Sequence, residues 1–170
     1  MAFGSGAILL AYVTAQRLAE LWWADQNERR LLAMGGVEYG HAHLRAMQVL
    51  HAVWLVGMWG LAYDHSVAPF FLALFVLLQI GRFWVLHTLG RRWTIRVIAT
   101  AGETLVTGGP YRWLRHPNYA IVAGEIAVVP LALGLPVYAL IFSVLNGCLL
   151  ALRIPQEEAA LAANAFNWRR

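Results

Sequence analysis

Charged residues are scarce in this sequence. They make up 13% of its 170 residues, whereas 60% are hydrophobic and the mean hydropathy is +0.57. A soluble domain normally carries about 25% charged residues. The shortage excludes an ordinary soluble protein and predicts an integral membrane protein. We expect a single compact domain, residues 1–170, without a separate soluble catalytic domain.

Cysteine is almost absent as well. Cys148 is the single cysteine, so an intrachain disulfide framework is excluded. Because it lies in an apolar run, we interpret Cys148 as a small buried side chain. The first segment lacks a charged leading region and a clear small-residue cleavage site, so we expect a retained membrane span rather than a signal peptide.

Several common functional motifs are missing. Gly108-Gly109 is not followed by a phosphate-cradling helix pattern, and no lipase-type nucleophile motif occurs. The six histidines are dispersed, and the closest pair, His41 and His43, would point to different faces of a helix. We therefore expect no metal site. The net charge is +4, but the arginines cluster at the ends of apolar runs, which indicates membrane topology rather than nucleic-acid binding.

Apolar runs predict an all-α membrane protein with about five transmembrane helices. Residues 119–154 would form a helix about 54 Å long, which exceeds the ~30 Å hydrocarbon core of a bilayer. Gly134-Leu135-Pro136 is therefore predicted to divide this stretch into a helical hairpin. A short amphipathic helix, residues 153–166, is predicted to continue from the last span. The predicted spans are residues 2–23, 44–62, 69–89, 119–133 and 136–152.

The arginines also predict an orientation. Apart from Arg17 and Arg82, they lie in or beside the first connection, in the third connection and in the C-terminal tail, whereas the second connection and the Gly134 turn have none. By the positive-inside rule, the N-terminus is outside, and the loop of residues 91–119 and the C-terminus face the cytoplasm.

Residues 108–119 are unlike the apolar remainder of the chain, since glycines, prolines, arginines and tyrosines are concentrated there. A proline disfavours helix at the preceding residue, so Gly109 and His116 should be extended or turn-like, with at most a short helical piece between them. Irregular backbone beside apolar spans is tolerated where it lines a wet cavity, which makes this loop the candidate site. Just before it, β-branched residues around Gly102 predict a hairpin or extended loop that can act as a lid.

Four charged residues lie within apolar runs. Arg17 and Glu20 are three residues apart and are expected to pair, and Arg82 is expected to be structural as well. Glu125 lies about two turns into the fourth span, where a carboxylate is costly unless it is paired or hydrated. The sequence leaves a functional and a structural role for Glu125 equally open.

Arg153 and Glu157 are four residues apart, so a helix places them on one face near the start of the fourth span. Spacing alone is also compatible with an ordinary surface pair. However, residues 109–119, followed by Gly124-Glu125, a helical hairpin and Arg153-x-x-x-Glu157-Glu158, resemble the isoprenylcysteine carboxyl methyltransferase family. The resemblance covers residues 97–161 closely. Less specifically, residues 27–32 and 35–39 are similar to bacterial members.

The resemblance implies a multi-span enzyme that uses S-adenosylmethionine, with its site on the cytoplasmic side of a bacterial plasma membrane. It also implies catalytic roles for Arg153 and Glu157 at the mouth of the site. The implied cofactor pocket, in which Glu125 has a supporting role, contains Tyr111, Arg115, His116, Pro117, Asn118, Tyr119, Glu125 and Glu158.

The chemistry of these side chains suits a zwitterionic sulfonium cofactor. Arg115 and His116 are suited to its carboxylate, and Glu125 or Glu158 to its ammonium. A carboxylate acceptor needs positioning and desolvation but no base, and Arg153 is then its clamp.

The acceptor itself is left open. We expect a lipid-like substrate that enters from the bilayer, most simply a prenylated cysteine. The alternatives are a long-chain phenolic or pyrone lipid, for which Glu157 or His116 becomes the base, and a phospholipid amine. A small transporter or non-catalytic scaffold is the alternative from another class.

Overall fold

A computed structural model of the protein describes residues 4–39, 44–99 and 106–167. The fold is helical, as predicted. Two of the helices have the same bounds as predicted apolar runs, residues 44–62 and 69–89, and another begins two residues before the run of residues 119–133. The described helices are α1 Ser5–Ala33, α2 Leu44–Ala62, α3 Pro69–Leu89, α4 Pro117–Ala132 and α5 Pro136–Asn167.

Helix α1 continues ten residues beyond the end of the predicted first span. Six of the ten added residues are polar or charged and none is glycine or proline, so they favour a helix that leaves the apolar layer. Asp25 and Arg29 form an exposed i,i+4 ion pair at 2.9 Å. The helix ends before Gly35, whose φ of +85° suits glycine. Polarity marked the end of the apolar run rather than the end of the helix.

Helix α5 is also longer than its predicted span. It is continuous through Pro155, so the helix of residues 153–166, which was predicted to continue from the last span, is the second half of α5. Residues 168–170 lie outside the described residues. As predicted, α4 and α5 form a hairpin at Gly134, which has a φ of +74°.

The core lies where α4 packs between α3 and α5 and against the first two helices. Leu10, Trp54 and Ile126 are among its fully buried side chains. Much apolar surface remains outside: Phe83 is 72% and Val56 70% exposed. Outward-facing apolar side chains at this density suit a lipid environment.

Within the described residues, two helical stretches are long and apolar enough to cross a membrane, Pro69–Arg92 and Pro136–Ala159. Helix α4 is apolar but shorter. The five predicted spans therefore stay a prediction for the other helices. The prediction that Cys148 is buried was wrong, because this residue is exposed on α5. Since that helix is apolar on its outer surface too, apolar neighbours in sequence do not indicate burial within the protein.

The two ends of the bundle differ in composition. At one end, the α2–α3 connection docks on the N-terminus of α1 and on the hairpin turn. Gly6 donates its N–H to the His65 carbonyl at 2.9 Å, and a His65 ring nitrogen lies 2.8 Å from the Leu133 carbonyl. The opposite end holds the loop before α4, the second half of α5 and most of the described arginines. The two regions that carry the sequence motifs are therefore at the same end.

A short antiparallel sheet joins the first and third connections. Strands β1 Val37–Tyr39 and β2 Val97–Ala99 pair with Val37 opposite Ala99. The β-branched residues before Gly102 thus form a strand, as the pattern indicates, but its partner is β1. The predicted hairpin around Gly102 and the histidines at positions 41 and 43 lie outside the described residues.

Gly109 is required by its backbone conformation and by its surroundings. Its φ is +58°, and a Cβ at this position would lie 2.5 Å from Thr88 Oγ1. We expect Gly109→Ala to lower the free energy of unfolding by about 1–3 kcal/mol, measured by equilibrium unfolding in mixed micelles. Gly108→Ala is the matched control, since Gly108 has ordinary extended backbone and no described atom near that Cβ. Equal losses for the two variants would contradict this account.

Candidate functional site

The loop before α4 folds as its prolines require. A 3₁₀ helix spans Gly109–Arg112, and His116 has non-helical backbone with φ −128° and ψ 62°. Pro117 then occupies the first turn of α4, where its missing N–H costs no hydrogen bond. This geometry places the end of the loop and the first turn of α4 against the second half of α5.

Tyr119 joins the two predicted catalytic residues. Its hydroxyl accepts a hydrogen bond from Arg153 Nε at 2.8 Å and donates one to Glu157 Oε2. The Arg153 guanidinium also lies over the Tyr119 ring, 5.7 Å from its centroid. Arg153 and Glu157 do share one face of α5, and a phenol from α4 connects them.

A second partner holds Arg153 from the opposite side of the site. Its Nη2 donates to the Ile95 carbonyl at 2.5 Å, just before β2 begins. Two of the five N–H groups of the guanidinium are thereby used, and both acceptors belong to other parts of the chain. The arginine is fixed by three-dimensional packing rather than by its own helix.

The predicted cofactor residues His116, Arg115 and Glu158 lie beside this group. The His116 Nε2 is 3.2 Å from Glu158 Oε1, and Arg115 Nη1 is 3.7 Å from the same oxygen. The His116 ring stacks on Tyr119, with centroids 5.4 Å apart. The Arg115 side chain is 87% exposed, so its attraction to Glu158 is strongly screened by solvent.

Two further predicted cofactor residues flank this region, Tyr111 in the 3₁₀ helix and Asn118 in the first turn of α4. The Asn118 Oδ1 is buried and has no hydrogen-bond partner among the described residues. The pKa of the Tyr111 hydroxyl is raised to about 12, by burial and then by the negative charge of Glu157. The Tyr111 hydroxyl is therefore held in its protonated form even more strongly than an ordinary tyrosine, close enough to Glu157 to feel its charge.

Glu125 belongs to a different constellation, a buried ionic cluster between helices. Its carboxylate accepts from Arg82 Nε at 2.8 Å, from Arg17 Nη2 at 2.6 Å and from Gln79 Nε2 at 2.7 Å, and it forms a further close contact with Arg82 Nη2. Arg82 also donates to Glu20 at 2.9 Å. The four charges balance, and the cluster joins α1, α3 and α4.

The ionic cluster accounts for the buried charge of Glu125. Glu125 is six positions after Tyr119, about 9 Å along α4. Four donors occupy the acceptor positions of its carboxylate, so any support of a cofactor pocket is indirect. The Arg17–Glu20 pair predicted from spacing is present at 3.3 Å. Nothing in the sequence pattern indicated that this pair, Arg82 and Glu125 meet in space.

Two cavities accompany these groups. One of about 20 Å³, the size for a single water molecule, touches Arg153 and Glu157. The other, of about 540 Å³, opens between α1 and α3, with aromatic walls and with Glu20 and Arg82 at its floor. The larger cavity thus adjoins the ionic cluster. The smaller one adjoins the group formed by Tyr119, Arg153 and Glu157, which we call the Tyr119 group.

Comparison with known proteins supports an assignment to one family. The model of the isoprenylcysteine carboxyl methyltransferase family matches residues 71–163. An uncharacterized protein of Bacillus subtilis, YpbQ, is 34% identical over 159 residues, which cover 91% of this chain and 95% of that protein. An uncharacterized protein of Haemophilus influenzae is 25% identical over 170 aligned residues, covering 91% of this chain and 94% of the relative. No solved structure matches at a significant level.

Proposed function

Since this chain belongs to the isoprenylcysteine carboxyl methyltransferase family, and hence to a family of membrane methyltransferases, we propose that it methylates an oxygen of a lipid-like substrate with S-adenosylmethionine as donor. The acceptor oxygen belongs most simply to a carboxylate, such as that of a prenylated cysteine or a similar amphiphile. Arg153 and Glu157 are the catalytic residues of this proposal.

The fixed guanidinium of Arg153 is the observation that carries the proposal. Tyr119 and Ile95 set its orientation and use two of its N–H groups, which leaves three donors for a ligand. A planar guanidinium with free N–H groups matches the two oxygens of a carboxylate. Because the Tyr119 hydroxyl donates its hydrogen bond to Glu157, the lone pairs of the phenol oxygen stay directed at Arg153.

The predicted cofactor residues in the loop, on α4 and on α5 fit a zwitterionic cofactor. The buried Asn118 Oδ1, which has no described partner, and the Glu158 carboxylate are acceptors for an ammonium group. Two basic side chains beside Glu158 are suited to the carboxylate of the cofactor, Arg115 and His116. S-adenosylmethionine supplies an electrophilic methyl group when bound.

In the proposed mechanism, the chain positions and desolvates a nucleophile that is already charged. Arg153 holds the acceptor carboxylate, and partial neutralisation of the charges in the transition state is favoured where water is excluded. A phenolic acceptor would need a base. Both base candidates, Glu157 and His116, already have hydrogen-bond partners, Tyr119 and Glu158 respectively. The bond from Tyr119 disfavours Glu157 as the base, whereas a carboxylate partner such as Glu158 orients a histidine for that role, so the phenolic alternative depends on His116.

The proposed membrane arrangement has five spans, with the Tyr119 group at the cytoplasmic face of a bacterial plasma membrane. The arginines at that end support this orientation through the positive-inside rule. The apolar outer surfaces of α3 and α5 support access for a substrate that resides in the bilayer.

The proposal predicts that the purified protein in lipid binds S-adenosylhomocysteine and transfers labelled methyl from S-adenosylmethionine to farnesylcysteine. The comparison acceptors are long-chain alkyl phenols, pyrones and phosphatidylethanolamine. Binding of S-adenosylhomocysteine is measured by calorimetry. Label confined to the phenols or pyrones would recast Glu157 or His116 as a base, and label in the lipid amine would overturn oxygen as the acceptor atom. Absence of both binding and transfer would favour a transporter or scaffold.

A further inference from the structure

Glu28 on α1 holds the peptide group that orients Arg153. Its carboxylate is largely buried, with the residue 8% exposed, although it lies in the polar part of α1. Glu28 Oε1 accepts hydrogen bonds from the N–H groups of Ile95 and Arg96, at 3.0 Å each. Its other oxygen lies 3.1 Å from Arg96 Nε. A buried carboxylate with three donors from one segment fixes that segment.

The peptide between Ile95 and Arg96 has both of its polar groups engaged. Its N–H donates to Glu28 and its carbonyl accepts from Arg153 Nη2. A trans peptide is planar, and its N–H and C=O point in opposite directions. Holding the N–H therefore sets the direction of the carbonyl, and Glu28 and Arg153 act on opposite sides of one rigid unit.

We propose that Glu28 is a positioning residue for the methyl acceptor, acting through the Ile95–Arg96 peptide on the Arg153 guanidinium. This inference rests on the proposed role of Arg153 as the clamp for the acceptor. Glu28 itself touches neither substrate nor cofactor. It gives α1, which lies outside the family match of residues 71–163, a specific part in the site.

Glu28→Ala should raise the acceptor KM by about tenfold, because Arg153 loses the orientation of one of its two acceptors. The kcat for saturating acceptor and the affinity for S-adenosylhomocysteine should change less than about twofold. Glu28→Gln keeps a carbonyl oxygen at the same reach for both N–H groups. It should therefore restore the acceptor KM to within about threefold of the original value, although its ion pair with Arg96 is lost.

Asn27→Ala separates positioning from general support. Asn27 is the adjacent residue on α1, is 4% exposed, and donates to the Trp93 carbonyl at 2.8 Å in the same connection. It does not bond to the Ile95–Arg96 peptide. We expect Asn27→Ala to lower thermal stability about as much as Glu28→Ala, with the acceptor KM per folded protein changed less than about twofold. Equal KM effects in the two variants would overturn the positioning role.

Amide hydrogen exchange decides the structural half of the inference without turnover. In Glu28→Ala, the Ile95 and Arg96 amides should exchange at least about tenfold faster, whereas Glu28→Gln should keep most of their protection. Unchanged exchange would refute the hold on this peptide. If the unmodified protein transfers no methyl group, the proposed function fails, and exchange still tests the hold. If the unmodified protein is active and Glu28→Ala has a normal acceptor KM, only the proposed link from Glu28 to Arg153 is refuted.

Discussion

Replacing Arg153 with alanine should reduce methyl transfer at least about a hundredfold, because the variant loses both the acceptor clamp and its charge-assisted hydrogen bonds. Glu157→Ala should have an effect of similar size, since the Tyr119 hydroxyl then lacks its acceptor and no longer orients Arg153. Label transfer in lipid, with rates per folded protein, is the measurement. Both variants should bind S-adenosylhomocysteine within a few-fold of the original affinity.

Two controls define what this result means. Arg153→Lys keeps the positive charge but loses the planar fork that contacts Tyr119 and Ile95, so it should recover only a small part of the activity. Arg91→Ala removes an exposed arginine outside the site and should leave turnover unchanged. Near-normal activity in Arg153→Ala or Glu157→Ala would refute the assigned roles.

Local pattern was sufficient for the elements whose boundaries coincide with changes in composition. Pro69 and Gly134 bound apolar helices directly, and the prolines at 110 and 117 set the form of the loop between them. Pattern failed where a helix continues beyond the apolar layer. Helix α1 runs on through Asn27 and Glu28, because helix formation depends on propensity and hydrogen bonding rather than on hydropathy.

The site could be predicted only in part for a similar reason. The i,i+4 spacing placed Arg153 and Glu157 on one face, but the phenol of Tyr119 comes between them through the packing of α4 on α5. The Ile95 carbonyl is a backbone group, so the type of residue at this position does not indicate its contact with Arg153. Glu28 is a charged residue in a polar segment, and its proposed role depends on contacts with a loop 67 residues later.

The ionic cluster shows the same dependence on three-dimensional structure. The sequence marked Arg17, Glu20, Arg82 and Glu125 as unusual one at a time, since each is a charge in an apolar run. Their contribution to stability depends on the ion pairs that they form with one another in the folded structure. Two arginines and two glutamates form a neutral group, so each charge is offset as long as all four are present.

Glu125→Gln should therefore lower the free energy of unfolding by about 3–5 kcal/mol, the usual cost of leaving a buried charge without its partner. The substitution keeps the shape of the side chain and its contact with Gln79. It leaves Glu20 as the one carboxylate of the cluster to balance the charges of Arg17 and Arg82. Equilibrium unfolding in mixed micelles is the measurement. Asp25→Asn breaks the exposed Arg29–Asp25 pair and should change stability by less than about 0.5 kcal/mol.

A paired substitution separates lost charge balance from lost packing. Glu125→Leu with Arg82→Met removes one charge of each sign and leaves the Arg17–Glu20 pair at 3.3 Å. If imbalance causes the loss, the double variant should be more stable than either single variant, since apolar replacements of buried ion pairs are often nearly neutral. A double variant whose loss equals the sum of the single losses would show that the two residues act independently. In that case the cluster would not hold α1, α3 and α4 together through its charges.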